Sequence, residues 1–424
     1  MLPLYRRPAY GLPARRLWWL DPTRIVLGIL LPIYLSLLAF DFATVTPVTY
    51  VPSGLYYWGI VLMLALALGA GFGAYDYAPD EPAERIEIPR ALMFFLLAVT
   101  LAGYAVWFYP LALNPGLIAE IAFAGRINVR DQVSTLPGVT TLSQCALAYV
   151  IAFAIRRWAG WQRIAWWERA GLWLIGCLAL FRAFVWSERL AAIELIVCYA
   201  VAVAAFYRFR TVERYRAAAL APIVAPFVLY LAFVGTEYFR SWDFYRHFYS
   251  SIWEFGFERL AAYYATAVNN GIGLLVESKQ WPRYNGAYMF EWAYVLPGLG
   301  SILSGYFGDP DNDYHAFLAN HAREEFNNPS GIFPIVYDVG YFGSVLYFLL
   351  VGLLIGFAYR AYRRRYLGGL LFFPTCVMFI VELLRFNYFA ASRYIPAFGA
   401  LLLVYAVARR RRIFMVPVML GSRP

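Results

Sequence analysis

Residues 287–308 read AYMFEWAYVLPGLGSILSGYFG, and the fold turns on whether this stretch crosses a membrane. It is apolar enough to suggest a span, but Pro297, Gly298 and Gly300 interrupt its middle and Glu291 sits near one end. Proline removes a helical hydrogen bond and glycine weakens a helix, so a continuous crossing is disfavoured. Counting it as a span would also carry the cluster RAYRRR at 360–365 to the opposite face and invert everything after it. We read it as a broken helix on, or dipping into, the outer interface, because irregular backbone at that depth is tolerated only against protein or water.

Working outward, a bilayer crossing takes roughly 20 mostly apolar residues. Ten stretches qualify: 24–43, 54–75, 91–113, 139–156, 169–186, 188–207, 217–236, 332–358, 367–384 and 393–409. With the N-terminus inside, every inner connection is basic: Arg6 to Arg24, Arg85 and Arg90, Arg156 to Arg169, Arg208 to Arg216, Arg360 to Arg365, and Arg409 to Arg412. That is the bias expected of cytoplasmic loops. The composition agrees, since 62% of the 424 residues are hydrophobic and 15% charged, more apolar surface than a soluble chain can hide. The fold class expected is therefore an all-α polytopic membrane protein with about ten transmembrane helices, a single integral domain over 1–424. The net charge of +10 comes in short clusters between apolar stretches, not in a stripe, so no nucleic acid is expected. Cys145, Cys177, Cys198 and Cys376 lie inside apolar stretches and read as small buried hydrophobes, neither disulfides nor metal ligands. No cleavable signal peptide is expected ahead of the first span.

Two outer loops remain, a smaller one at 114–138 and a large, partly helical one at 237–331 that holds His247, His315, His321 and the only lysine, Lys279. Charges that defy the cost of burial in lipid cluster at the outer ends of spans: Asp41, Arg182, Glu188, Arg189, Glu194, Asp338, Glu382, Arg385 and Arg393. The pattern describes one polar chamber opening outward, not a path through the bilayer. Glu188 and Glu194 read equally as members of a structural Arg–Glu network, and Asp338 as a partner for an outer arginine or a substrate contact. Arg126 and Arg130 are four apart and share a face if helical, which suits an anionic group, or are a solvated pair. Arg240, Arg246 and Arg259 are interleaved with Trp242, Tyr245, Trp253, Tyr263 and Tyr264, with Asn269 and Asn270 following. Rings beside amides and charges suit sugar recognition, and suit interfacial anchoring as well. No metal is expected: DPDND at 309–313 departs from a calcium loop at Tyr314 and Asn320, and the histidines show no metal spacing.

The order of an outer arginine pair before LPGVTTLSQ, then SERLAAIEL, EYFRSW, ERLAAYYATAVNNG and EFNNPSGIFPIVYDVGYFGSVLYFLLVGLLIG resembles the bacterial oligosaccharide repeat-unit polymerases, the Wzy-type O-antigen and exopolysaccharide polymerases. The resemblance covers roughly residues 110–400 and rests on pattern and topology, without one diagnostic motif. It implies a GT-C-like glycosyltransferase of the bacterial inner membrane, with both termini cytoplasmic and the two outer loops periplasmic. Such an enzyme joins undecaprenyl-diphosphate-linked donor and acceptor units, with no cofactor or metal. Its partners would be those lipids, the surrounding membrane lipids and a polysaccharide chain-length regulator. A diphosphate leaving group needs positive charge, for which Arg189, Arg126, Arg130, Arg240, Arg259 and Arg385 are the candidates. The acceptor hydroxyl needs a base, with Glu237, His321 and Glu324 the candidates beside catalytic Arg189. Trp242, Tyr263, Tyr264 and Asn270 are the expected sugar contacts. Two alternatives share the features: an O-antigen ligase or other lipid-linked-sugar transferase, and a lipid-linked oligosaccharide flippase.

Overall fold

The computed structural model describes the chain outside residues 1–11, 14–16, 76–83, 119–135, 137, 160–161, 187, 210, 279, 309–310 and 413–424. A helix occupies each of the ten apolar stretches. They are α1 (Pro22–Ala39), α2 (Gly54–Ala74), α3 (Arg90–Leu113), α4 (Cys145–Trp158), α5 (Trp166–Val185), α6 (Leu190–Ala204), α7 (Ala221–Arg240), α9 (Phe333–Arg363), α10 (Leu367–Glu382) and α11 (Ile395–Val407). Five of them, α1, α2, α3, α7 and α9, are long and apolar enough to cross a membrane by length and composition. Starts are marked by caps: Asp21 accepts from Thr23 N at 3.0 Å and Ser53 from Tyr56 N at 3.3 Å.

Between α7 and α9 lies α8 (Ile252–Glu277), begun by Ser251, whose hydroxyl accepts from Glu254 N at 3.2 Å. Read from its residues this stretch belongs to an outer loop, yet residues 265–275 are buried throughout. Small residues and amides let it sink into protein: Asn269 accepts from Tyr50 N at 2.7 Å and donates to Val48 O at 2.9 Å, pinning the 45–51 turn. The interrupted stretch does break as expected, into Glu291–Val295 and Leu299–Phe307, with Gly298 between them at φ +81°.

Two glycine pairs set a close contact between α2 and α9. A Cβ on Gly69 would lie 2.1 Å from Leu349 O, and one on Gly73 2.2 Å from Leu353 O. Reciprocally, a Cβ on Gly352 would lie 2.2 Å from Leu66 O, and one on Gly356 2.3 Å from Ala70 O. Small residues four apart on both α2 and α9 thus allow backbone-to-backbone approach.

The α9 helix is interrupted at Gly340, whose φ of +73° and ψ of −173° are open essentially to glycine alone. The break leaves carbonyls that a continuous helix would use, and Arg283 N and Tyr284 N take those of Tyr337 and Asp338 at 3.0 and 2.7 Å. The sequence offered Asp338 as an arginine partner or a substrate contact; instead it is fully buried, and its Oδ2 accepts from Tyr288 N and Met289 N, each at 2.8 Å. Nearby, Asp313 receives Tyr337 Oη at 2.5 Å and Arg283 Nε at 3.1 Å, clasping the helix Asp311–His321 to α9. Burial works to raise the Asp313 carboxyl, but the hydrogen bonds from Tyr337 and Arg283 hold it below its ordinary value. A carboxyl lowered in the folded state stabilises above its unfolded pKa, about 4, and that contribution disappears as pH falls through the lower folded value. Asp313→Asn is therefore expected to lower the thermal midpoint of purified protein at pH 7, and the gap from wild type should close as pH falls below about 4. A gap that widens toward acid would refute the assignment.

The basic connections meet at one end. Glu84–Glu87 pairs antiparallel with Arg409–Arg412, and Leu12–Pro13 with Arg208–Phe209. Arg360 Nη1 donates to Tyr75 O at 3.1 Å, and Arg365 Nε to Ala205 O at 3.0 Å. Inside the same end, Arg156 is buried with Glu168 at 2.8 Å.

Candidate functional site

At the opposite end a cavity of about 1280 Å³ opens where the starts of α6, α9 and α11 meet the ends of α7 and α10, with α8 behind. Its cationic wall carries Arg189, Arg385 and Arg393. Each leans on one carboxylate: Arg189 on Glu237, Arg385 Nη1 on Glu382 at 3.0 Å, and Arg393 Nη2 on Glu194 at 2.8 Å. The three guanidinium side chains remain 16, 20 and 30% exposed. A guanidinium has five N–H donors in a fixed fork, so a single carboxylate orients it and leaves capacity for a second anion. The Arg189 guanidinium also lies 4.0 Å above the Phe233 ring, and that of Arg385 5.6 Å from Tyr263.

Behind this wall Glu237 is fully buried and joins three elements. It takes Arg189 from the start of α6, Arg259 Nε of α8 at 3.0 Å, and Ser241 Oγ at 2.5 Å. Arg259 in turn pairs with Glu325. Burial alone would lower the Arg259 guanidinium, but Glu237 and Glu325 more than reverse this and hold it charged. The Glu237 carboxylate is thus committed to arginines and a hydroxyl, and this engagement speaks against the base role the sequence offered for it. The neighbouring Arg182 pairs with Glu188, itself a cavity-lining residue, and its guanidinium lies 4.1 Å from the Trp107 ring centroid.

The expected sugar contacts divide. Tyr263 and Tyr264 line the cavity. Trp242 does not; it packs 5.9 Å from Phe255. Asn270 is buried and spends its amide on Phe326 O at 2.7 Å, which removes it as a sugar contact. His321 does not line the cavity either: its Nε2 faces Glu277 at 3.9 Å while Tyr50 Oη donates to the same carboxylate at 2.8 Å. Arg126 and Arg130 lie outside the described residues, as do the side chains of Arg240 and Glu324. The structure adds Arg393, Glu325, His315 and Asn387 to the lining. Arg393 was marked in the sequence by its misplaced charge; Asn387 and Glu325 carried no signal, because nothing in their spacing shows which helix end they face. Among the described residues, no group of three or more His, Cys, Asp or Glu is arranged to hold a metal ion. Comparison of the chain with protein-family models, with curated proteins and with solved structures finds no match.

Proposed function

We propose that the protein is a glycosyltransferase of lipid-linked glycans: a Wzy-type repeat-unit polymerase with ten crossings, its cavity facing the periplasm. The observation that carries this is the wall of Arg189, Arg385 and Arg393 beside Tyr263 and Tyr264 at the end opposite the basic connections. Transfer requires that an acceptor hydroxyl oxygen bond to the donor anomeric carbon, that the bond from that carbon to the diphosphate oxygen break, and that the hydroxyl proton pass to a base. The leaving lipid diphosphate departs with the electron pair, and oriented guanidiniums stabilise the charge that develops on it. Tyrosine rings supply flat faces for sugar C–H surfaces, with hydroxyls for the polar edges.

For the base, Glu188, Glu325 and Glu382 are each engaged by an arginine. His315 is exposed and lines the cavity. His315→Gln is expected to lower elongation about 10²-fold or more, the usual worth of a positioned base, with unaltered expression and folding. Unchanged rates would return the role to another group.

The deciding experiment incubates purified protein with undecaprenyl-diphosphate repeat units. Elongated product with released lipid diphosphate supports the polymerase. Transfer only to added lipid A core supports a ligase, and flipping in vesicles without product supports a transporter.

A further inference from the structure

We infer that Gln144 and Tyr388, acting through Glu194, are positioning residues that fix the Arg393 guanidinium in one orientation toward an anion in the cavity. The inference rests on the lipid-linked-glycan reading for the identity of that anion, a diphosphate, and adds the residues that aim one of its cations.

Glu194 lies in the first half of α6 and is 1% exposed. A carboxylate buried so deeply needs partners for both of its oxygens. Three groups distant from it in sequence converge there. Arg393 Nη2, from the turn Ser392–Tyr394 that opens α11, donates to Oε1 at 2.8 Å. Tyr388 Oη, from the connection between α10 and α11, donates to the same oxygen. Gln144, at the end of the turn Thr140–Gln144 that leads into α4, donates its amide to Oε2 at 3.0 Å. The Gln144 carbonyl oxygen also accepts from Arg393 Nη2 at 3.1 Å, so the glutamine touches both members of the ion pair.

The turn that carries Gln144 is itself held. A Cβ on Gly103 of α3 would lie 2.3 Å from Ser143 N, so helix and turn meet backbone to backbone. Trp107 Nε1 donates to Thr140 O at 3.0 Å, and Arg182 Nη1 donates to Ser143 Oγ at 3.2 Å. The Tyr388 ring packs with its centroid 4.1 Å from that of Tyr394. Anchored donors therefore hold the carboxylate, and the carboxylate holds the guanidinium.

An ion pair that only joins helices needs no opening to a cavity. Here the Arg393 side chain is 30% exposed and lines the cavity, while Gln144, Glu194 and Tyr388 stand behind it and are not among its described lining residues. Both tethers fall on Nη2, and among the described residues Nη1 and Nε of Arg393 make no hydrogen bond. That edge of the fork is left for a ligand. Arg385 differs, because its carboxylate, Glu382, lies three residues away on the same stretch of chain. The aim of Arg393 is set instead by α6 and by the turn before α4.

The test is a double-mutant cycle read by calorimetric binding of inorganic pyrophosphate to full-length protein in detergent. Tyr388→Phe removes one hydroxyl and Gln144→Leu removes the amide. Each is expected to weaken pyrophosphate binding about tenfold, since a misplacement of about 1 Å can cost ~10²-fold at a reacting centre. In an Arg393→Gln background the same substitutions should change the affinity less than about twofold, because their effect passes through the missing guanidinium. Losses that persist undiminished in Arg393→Gln, or unaltered affinity in both single variants, would overturn the positioning role. Should Gln144→Leu or Arg393→Gln fail to fold, Tyr388→Phe combined with Arg393→Lys, which keeps the charge and loses the fork, gives the same cycle with the same expected result. Coupled pyrophosphate binding without elongation of lipid-linked repeat units would leave the positioning role standing and remove the glycosyltransferase reading. Wild-type affinity no greater than that of Arg393→Gln would remove Arg393 from the anion site, and the positioning role with it.

Discussion

Arg189→Ala is expected to abolish long glycan chains while leaving single capped repeat units. The side chain contributes in two ways, and the size of the loss follows from both. It presents a cation to the cavity, and removing one oriented donor from a developing anion typically costs about 10²–10³ in rate. It also neutralises one side of the buried Glu237, which Arg259 meets from another side at 3.0 Å. Breaking a buried ion pair from one side leaves an uncompensated charge, so part of the effect will be structural. Glu237→Gln separates the contributions: it keeps the shape, removes the charge and leaves Arg189 in place. The expected order is near-complete loss for Arg189→Ala and partial loss for Glu237→Gln, measured as chain-length ladders and as release of lipid diphosphate. A normal ladder in Arg189→Ala with the protein expressed, or merely a twofold loss, would remove this arginine from the site.

The largest expected effect on folding is at the α2–α9 contact. Gly352→Val places a branched side chain where even a Cβ would be 2.2 Å from Leu66 O. The obstacle is backbone, which cannot rotate away, so the helices must separate. Separation also undoes the contacts of Gly69, Gly73 and Gly356 on the same face. Overpacking a close contact costs about 1–3 kcal/mol, and here several adjacent contacts fail together. Against the usual margin of about 5–15 kcal/mol, the variant should show a clearly lowered thermal midpoint and yield on size-exclusion chromatography. Gly176→Ala is the control: nothing lies within 4 Å of its Cβ position, and alanine in a helix interior gains about 0.5–1 kcal/mol over glycine. Equal behaviour of the two variants would show that the contact is looser than the structure indicates.

Much of this arrangement was legible one residue at a time. Apolar length located ten helices, and Pro297, Gly298 and Gly300 announced the broken segment, because both are local properties of the chain. Misplaced charge located Arg189, Arg385 and Arg393 for a related reason: an arginine near lipid is costly without a reason to be there. Partnership was not legible. Glu237 and Asp338 looked like chemistry and proved to be a clamp for two arginines and an acceptor for two backbone amides. His321 and Asn270 lie in the same polar loop as His315 and Tyr263, yet only the latter two line the cavity.

The sequence by itself determined the helical stretches, the basic character of one set of connections and the gathering of unusual charge at the other helix ends. Those follow from composition and spacing, which act along the chain. The tertiary structure decided which charges meet and that the second half of α8 is buried. Each of these depends on how helices distant in sequence turn toward one another. That orientation is set by steric fit, as between Gly69 and Leu349 O, and by the requirement that every buried charge or amide find a partner.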